Sequence, residues 1–285
     1  MSDAPKPNSG RKLFFGLFVF PLLIAVGMAV LLCGVIFLTH EDETPESLIA
    51  AIKSGSPSKR WQKAYELSNE LNSGKASLRS EGVMREIISI VGDPKKYDAK
   101  TRGYMVVALS HFKEVEAVSA LRRALADPDE SIQLYSLWSL GVQGSKDAAS
   151  DIPRFLRSEN GGLRKMAVYV LGVLGDKKYT VEIRPLLKDP QSDVAWNAAL
   201  ALARLGDDAG QSVLLGMLDR EGLTKAHMLQ DPQIEEVMIN ATKGLALIQS
   251  SESIKILESI ARSDKSLKVR QAAITAVKAI TRKDL

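Results

Sequence analysis

The chain has 285 residues, of which 45% are hydrophobic and 25% charged, a globular composition that excludes disordered and collagen-like classes. Its 38 basic and 34 acidic residues leave a net charge of +4, too mild a surplus to mark a nucleic-acid protein, in which basic residues concentrate on one face. The single cysteine, Cys33, rules out an intrachain disulfide and a cysteine-rich zinc site.

In chain order, residues 1–12 form a polar tail carrying Lys6, Arg11 and Lys12, and residues 13–38 then contain no charged side chain. A helix of that length rises about 39 Å, against a hydrocarbon core of roughly 30 Å, so residues 13–39 read as a transmembrane helix. The run is longer than the roughly 7 to 15 residues of a secretory signal core and ends without a small-residue cleavage site. Leu31 and Leu32 before Cys33 also argue against a lipoprotein signal. Pro21 is a position where the helix could kink, and Gly27 and Gly34 share a face where another helix could approach. Basic residues precede the span and His40, Glu41, Asp42 and Glu43 follow it. Positive-inside bias therefore places the N-terminus in the cytoplasm and the body outside it, in the periplasm if the source is bacterial. Residues 40–44 serve as a linker.

From residue 45 to 285 the sequence repeats itself. Leu109, Leu140, Leu171 and Leu202 are 31 apart; so are Leu121, Ile152, Ile183 and Leu214, and Leu125, Leu156, Leu187 and Leu218. Gly144, Gly175 and Gly206 keep the same period. The register continues to Leu245 and Leu257 after an insertion near residues 221–233, and back to Leu67 across another near residues 73–83. Apolar spacing within a unit, as in Met166, Val170 and Leu174, is helical, so each unit is expected to be two helices. The glycines are expected to end first helices, and Asp147, Asp176 and Asp207 to start second ones. Asp-Pro pairs at 93–94, 127–128, 189–190 and 231–232 would cap and separate the units. First helices fall near Arg60, Arg102, Gln133, Arg164, Trp196, Met238 and Arg270, about seven pairs, with residues 45–53 as an N-terminal capping helix.

Residues 163–176 (LRKMAVYVLGVLGD) resemble the first helix of a HEAT repeat, of the short bacterial type related to bilin-lyase repeats, and residues 194–207 and 269–280 are similar. The resemblance implies an all-α, right-handed α-solenoid of HEAT-like helix pairs behind a single transmembrane helix. It also implies that second helices line a concave groove and that the solenoid serves as a binding scaffold.

Little in the chain points to chemistry. The three histidines, His40, His111 and His227, are not at metal-ligand spacing, and the one His-Glu pair, 40–41, lies outside the repeats, unlike the several pairs of HEAT-type hydroxylases. No phosphate loop, zincin motif or nucleophile elbow is present. Trp138 and Trp196 fit as large residues packed between repeats. No catalytic activity, cofactor or metal is therefore expected.

The period does place basic residues in ladders on second helices: Arg123 with Arg154, Arg157 with Lys188, and Arg122 with Arg184 two units apart. These six are the candidate partner-binding residues, forming a basic stripe along the groove for acidic protein segments. The 221–233 insertion, with His227 and Met228, is a second candidate. The expected function is a non-catalytic, membrane-anchored scaffold or adaptor that binds a partner protein or membrane complex, with no nucleic acid involved. The alternatives are a lyase-type enzyme acting on a bound small molecule and, if the body is cytoplasmic, nucleic-acid binding.

Overall fold

The computed structural model describes residues 14–39, 44–74 and 79–281. The tail, the linker with His40 and Glu41, and part of the 73–83 insertion lie outside the described residues. Every regular element among the described residues is helical, and the chain divides into two compact units, Met1–Thr44 and Pro45–Leu285.

The first unit is one helix, α1 (Phe20–Thr39), entered through a π-helical turn, Phe15–Val19. Pro21 has no N–H to donate to the preceding turn, and the irregularity falls in that turn. Gly16–Val35 is long and apolar enough to cross a membrane by length and composition. Its large side chains, including Leu17, Phe18, Leu22, Leu31 and Leu32, are exposed.

The second unit stacks helices in two rows. The first row is α3 (Pro57–Asn72), α5 (Ala99–Leu109), α7 (Glu130–Gln143), α8 (Gly161–Leu174), α10 (Ser192–Arg204), α13 (Asp231–Leu247) and α15 (Leu267–Thr281). The second row is α4 (Glu81–Val91), α6 (Val115–Ala124), the segment 146–157, the segment 177–188 containing α9 (Thr180–Ile183), α11 (Gln211–Gly216) and α14 (Ile254–Ser263). Helix α2 (Pro45–Ser54) precedes the stack and packs on α3 and α4; α12 (Arg220–His227) is inserted after α11. Each first-row helix packs on the next, from α3 to α15 in order.

The repeat is what builds the core. Leu109, Leu140, Leu171 and Leu202 on the first row, and Leu121, Ile152, Ile183 and Leu214 on the second, are all 0% exposed. Leu125, Leu156 and Leu218 are buried as well, and Leu187 is half-buried. The buried residues form two clusters that meet on α10, where Ala198 and Leu202 serve one and Ala199 and Ala203 the other. Close first-row packing depends on small residues: a Cβ on Gly172 of α8 would lie 2.9 Å from the Cα of Ala201.

Three expectations need correcting. The second-row segments 146–157 and 177–188 are not regular helices but runs of 3-10 turns, Lys146–Asp151 with Pro153–Arg157, and Lys177–Tyr179 and Arg184–Lys188 around α9. Pro153 and Pro185 lie within them and cannot donate to the carbonyl four residues back, so bonds three residues apart take over, as in Phe155 N to Ile152 O at 2.9 Å. Asp176 and Asp207 do cap, accepting from the N–H of Lys178 and Ala209, but Asp147 does not; Ser145 holds that position without a side-chain bond. Gly144, Gly175 and Gly206 adopt the left-handed conformation (φ 67°, 76° and 75°) that ends a helix without a Cβ clash.

Asp127 and Asp189 of the Asp-Pro pairs do not cap the helices that follow. Asp98, Asp129 and Asn160 cap α5, α7 and α8 instead, each accepting a backbone N–H of the first turn.

Candidate functional site

The six ladder residues fall at positions where the neighbouring apolar side chains are pulled inward. Leu121, Ala124 and Leu125 are buried beside Arg122 and Arg123; Phe155 and Leu156 beside Arg154 and Arg157; Ile183 and Leu186 beside Arg184 and Lys188. All six basic side chains are consequently exposed. Arg122 and Arg123 also occupy the last turn of α6, where cations complement the carbonyl end of the helix.

The stripe is interrupted by two acids. Arg122 Nε donates to Asp151 at 2.5 Å, and Arg184 pairs with Asp207 at 2.7 Å. The bond to Asp151 raises the Arg122 guanidinium above its ordinary value, so it stays charged. These two arginines clip one unit to the next. Arg123, Arg154, Arg157 and Lys188 have no carboxylate partner among the described residues, and the Arg154 guanidinium lies 4.8 Å over the Phe155 ring.

Arg122 and Arg184 each line an open cleft between a first-row helix end and the second-row segment that follows. One, about 380 Å³, is lined by Lys113, Val118, Arg122 and Gly144; the other, about 510 Å³, by Lys177, Thr180, Arg184 and Gly206. Val118 and Thr180, like Arg122 and Arg184 and Gly144 and Gly206, are 62 residues apart, so the two clefts occupy the same register two units apart.

No group of three or more His, Cys, Asp or Glu side chains among the described residues could hold a metal ion. His111, which is half-buried, is pushed below the ordinary imidazole value by burial and by Arg79. Neither it nor Trp138 lines either cleft. The insertion is a helix rather than a loop: α12 buries Leu223, and His227 stacks edge-on to Trp196 with ring centroids 5.1 Å apart while its Nδ1 lies 3.2 Å from Ser192 Oγ.

The sequence reading missed the principal polar fastening of the array. Arg102 of α5 binds both carboxylate oxygens of Asp127, and Arg164 of α8 binds those of Asp189 at 2.7 and 2.9 Å; each arginine is 25 residues before its aspartate. Arg164 Nη1 also donates to the Ser158 and Glu159 carbonyls, tying the preceding turn to its own unit. Arg220 repeats the fork with Asp264 at 3.0 and 2.8 Å. The Arg164 hydrogen bonds hold Asp189 below the usual carboxylate range. The signal was an arginine in the first turns of a first-row helix with Asp-Pro 25 residues on.

Two rows of helices stacked at a 31-residue period, fastened by buried Arg–Asp forks and edged with unpaired cations, define a HEAT-like α-solenoid. Comparison with known proteins agrees at the level of fold. Residues 152–227 match the model of the HEAT repeats family. No curated protein sequence matches the chain. Among solved structures, one chain of the complex of CpcE and CpcF of phycocyanin lyase from Nostoc is similar with a TM-score of 0.53 and 19% identity, covering 85% of this chain and 96% of that chain. An engineered protein (TM-score 0.44, 15% identity, 84% and 96% covered) and human deoxyhypusine hydroxylase bound to glycerol (0.36, 13%, 84% and 84%) are also similar. The expectation that the chain lacks enzymatic activity has to be withdrawn, because the structure it resembles at a TM-score of 0.53 belongs to a lyase. Scarcity of histidine and the absence of familiar motifs do not exclude activity in this fold.

Proposed function

We propose that the chain is a membrane-anchored, right-handed α-solenoid that holds a partner protein in a membrane or envelope complex through its second-row face. Residues 13–39 supply the anchor, the N-terminus lies in the cytoplasm and the solenoid outside it. The observation that carries the reading is the set of unpaired, exposed cations Arg123, Arg154, Arg157 and Lys188, repeated at the period of the array. Each suits an acidic segment and contributes on the order of 1 kcal/mol or less. Arg122 and Arg184 contribute less, since Asp151 and Asp207 already occupy them. A second reading, lyase-type action on a bound small molecule, is favoured by the fold shared with the phycocyanin lyase complex.

The test is affinity capture of the full-length protein from detergent-solubilised native membranes beside its R123E/R154E/R157E variant, followed by mass spectrometry. A stoichiometric partner lost in the variant is the expected result; the same partner retained overturns the second-row face. Recovery of the protein with a bound chromophore or metabolite moves the function to the second reading. Ala25→Lys, at the centre of the apolar run, is expected to cost about 3 kcal/mol of insertion, and undiminished recovery in the membrane fraction would overturn the anchor.

A further inference from the structure

Outside the ladders, some basic side chains of the solenoid are matched by acids across units, as Lys165 is by Asp193 at 2.7 Å and Lys53 by Glu86 at 2.9 Å, and others are not. One cluster of unmatched cations lies at the N-terminal end of the stack. Lys59 and Arg60 at the start of α3, Lys95 and Lys96 in the turn before α5, and Lys100 in its first turn have no carboxylate partner among the described residues. They form one patch: Arg60 Nη1 donates to the Lys96 carbonyl at 2.8 Å, the Arg60 guanidinium and the Lys96 ammonium lie 5.5 and 5.2 Å from the Tyr97 ring centroid, and the Lys100 ammonium lies 3.3 Å over Trp61. The five cations outnumber the two nearby aspartates, and the two nearby glutamates are paired with other lysines. Glu66 takes Lys63, Glu86 takes Lys53, Asp93 accepts the Lys96 backbone N–H, and Asp98 accepts both the N–H and the hydroxyl of Thr101.

We infer that this face binds the anionic phospholipid surface of the membrane that holds α1, an inference that rests on the anchored reading above. Surface cations seated over aromatic rings suit phosphate headgroups, while half-buried Trp61 and Tyr65, 47% exposed, suit the boundary between headgroup and acyl chain. Thr39 and Pro45 are six residues apart, and an extended chain spans at most about 3.5 Å per residue. The tether therefore brings the end of the stack that begins with α2 within reach of the lipid. Helix α2 packs on α3, which carries Lys59, Arg60 and Trp61, so the patch lies at that same end.

The test uses the full-length chain in nanodiscs of phosphatidylcholine alone and of phosphatidylcholine with phosphatidylglycerol, acylated with a water-soluble amine reagent and read lysine by lysine. Labelling of Lys59, Lys95, Lys96 and Lys100 should fall about threefold in the anionic discs and recover at about 0.5 M salt, while exposed Lys243 and Lys268 stay constant. Equal labelling in both discs, with the chain still co-eluting with them, overturns the proposal but leaves the anchor standing. Failure to co-elute with either disc overturns the anchor itself. Equal protection by inorganic phosphate in neutral discs would show a small-anion site and also overturn it. The K59E/K95E/K100E variant, with unchanged helical circular dichroism, should lose protection at Lys96; retained protection counts against the patch.

Discussion

The two rows of the solenoid carry the same apolar period but different backbones. First-row members α7, α8 and α10 run as unbroken helices of 13 or 14 residues, whereas the second-row segments packed beside them are short or break into 3-10 turns. Helix α6, which lacks a proline, is a regular ten-residue helix at the register where Pro153 and Pro185 later intervene. Burial at a repeat position is therefore indifferent to helix type, since Leu121, Ile152 and Ile183 are equally buried on an α-helix, a 3-10 run and a mixed segment. The first row supplies rigidity and tight helix contact; the second row supplies a short, turn-rich face on which basic side chains project.

This contrast can be broken at several points. One of the largest effects is expected at the fork that joins the rows: Asp189→Ala leaves the part-buried Arg164 guanidinium without its carboxylate and should cost about 3 kcal/mol by urea unfolding. The same fork sets an acid limb. Because the folded-state value of Asp189 is depressed, its contribution is complete above the unfolded carboxylate value of about 4 and is lost as pH falls through the folded one; Asp189→Asn should flatten that part of the stability profile. A profile unchanged by the substitution would mean the fork is not formed.

Leu171→Ala, fully buried on the first row, should cost about 3 kcal/mol, and Leu187→Ala, half-buried on the second row, about 1 kcal/mol, both from urea midpoints. Equal costs would mean that Leu187 is packed as tightly as Leu171. Gly172→Ala drives a methyl against Ala201 and should cost about 2 kcal/mol, sharpening the claim that the first row packs at backbone distance. Pro185→Ala should change stability by no more than about 1 kcal/mol while raising helical circular dichroism. Arg123→Ala, exposed and unpaired, should stay within about 0.5 kcal/mol and act on partner capture alone.

The array was legible because its signal is local and repeated. Leu109 to Leu202 and Leu121 to Leu214 mark both rows in every unit, and the left-handed glycines Gly144, Gly175 and Gly206 mark where the chain turns. The six ladder residues were readable as exposed for the same reason. That Arg122 and Arg184 are occupied was not readable, because Asp151 and Asp207 reach them from the following unit, 29 and 23 residues away. Asp-Pro at 127–128 and 189–190 is a local capping pattern, but a guanidinium 25 residues earlier competes more strongly for the carboxylate.

Sequence by itself determined that one helix is apolar enough to span a bilayer and that the remainder stacks as helix pairs, since hydrophobic spacing acts within a few turns of chain. Only tertiary structure decided which carboxylates neutralise which arginines and which cations stay free. Those outcomes depend on groups brought together across units, where charge pairing and packing compete, and no local pattern fixes the winner.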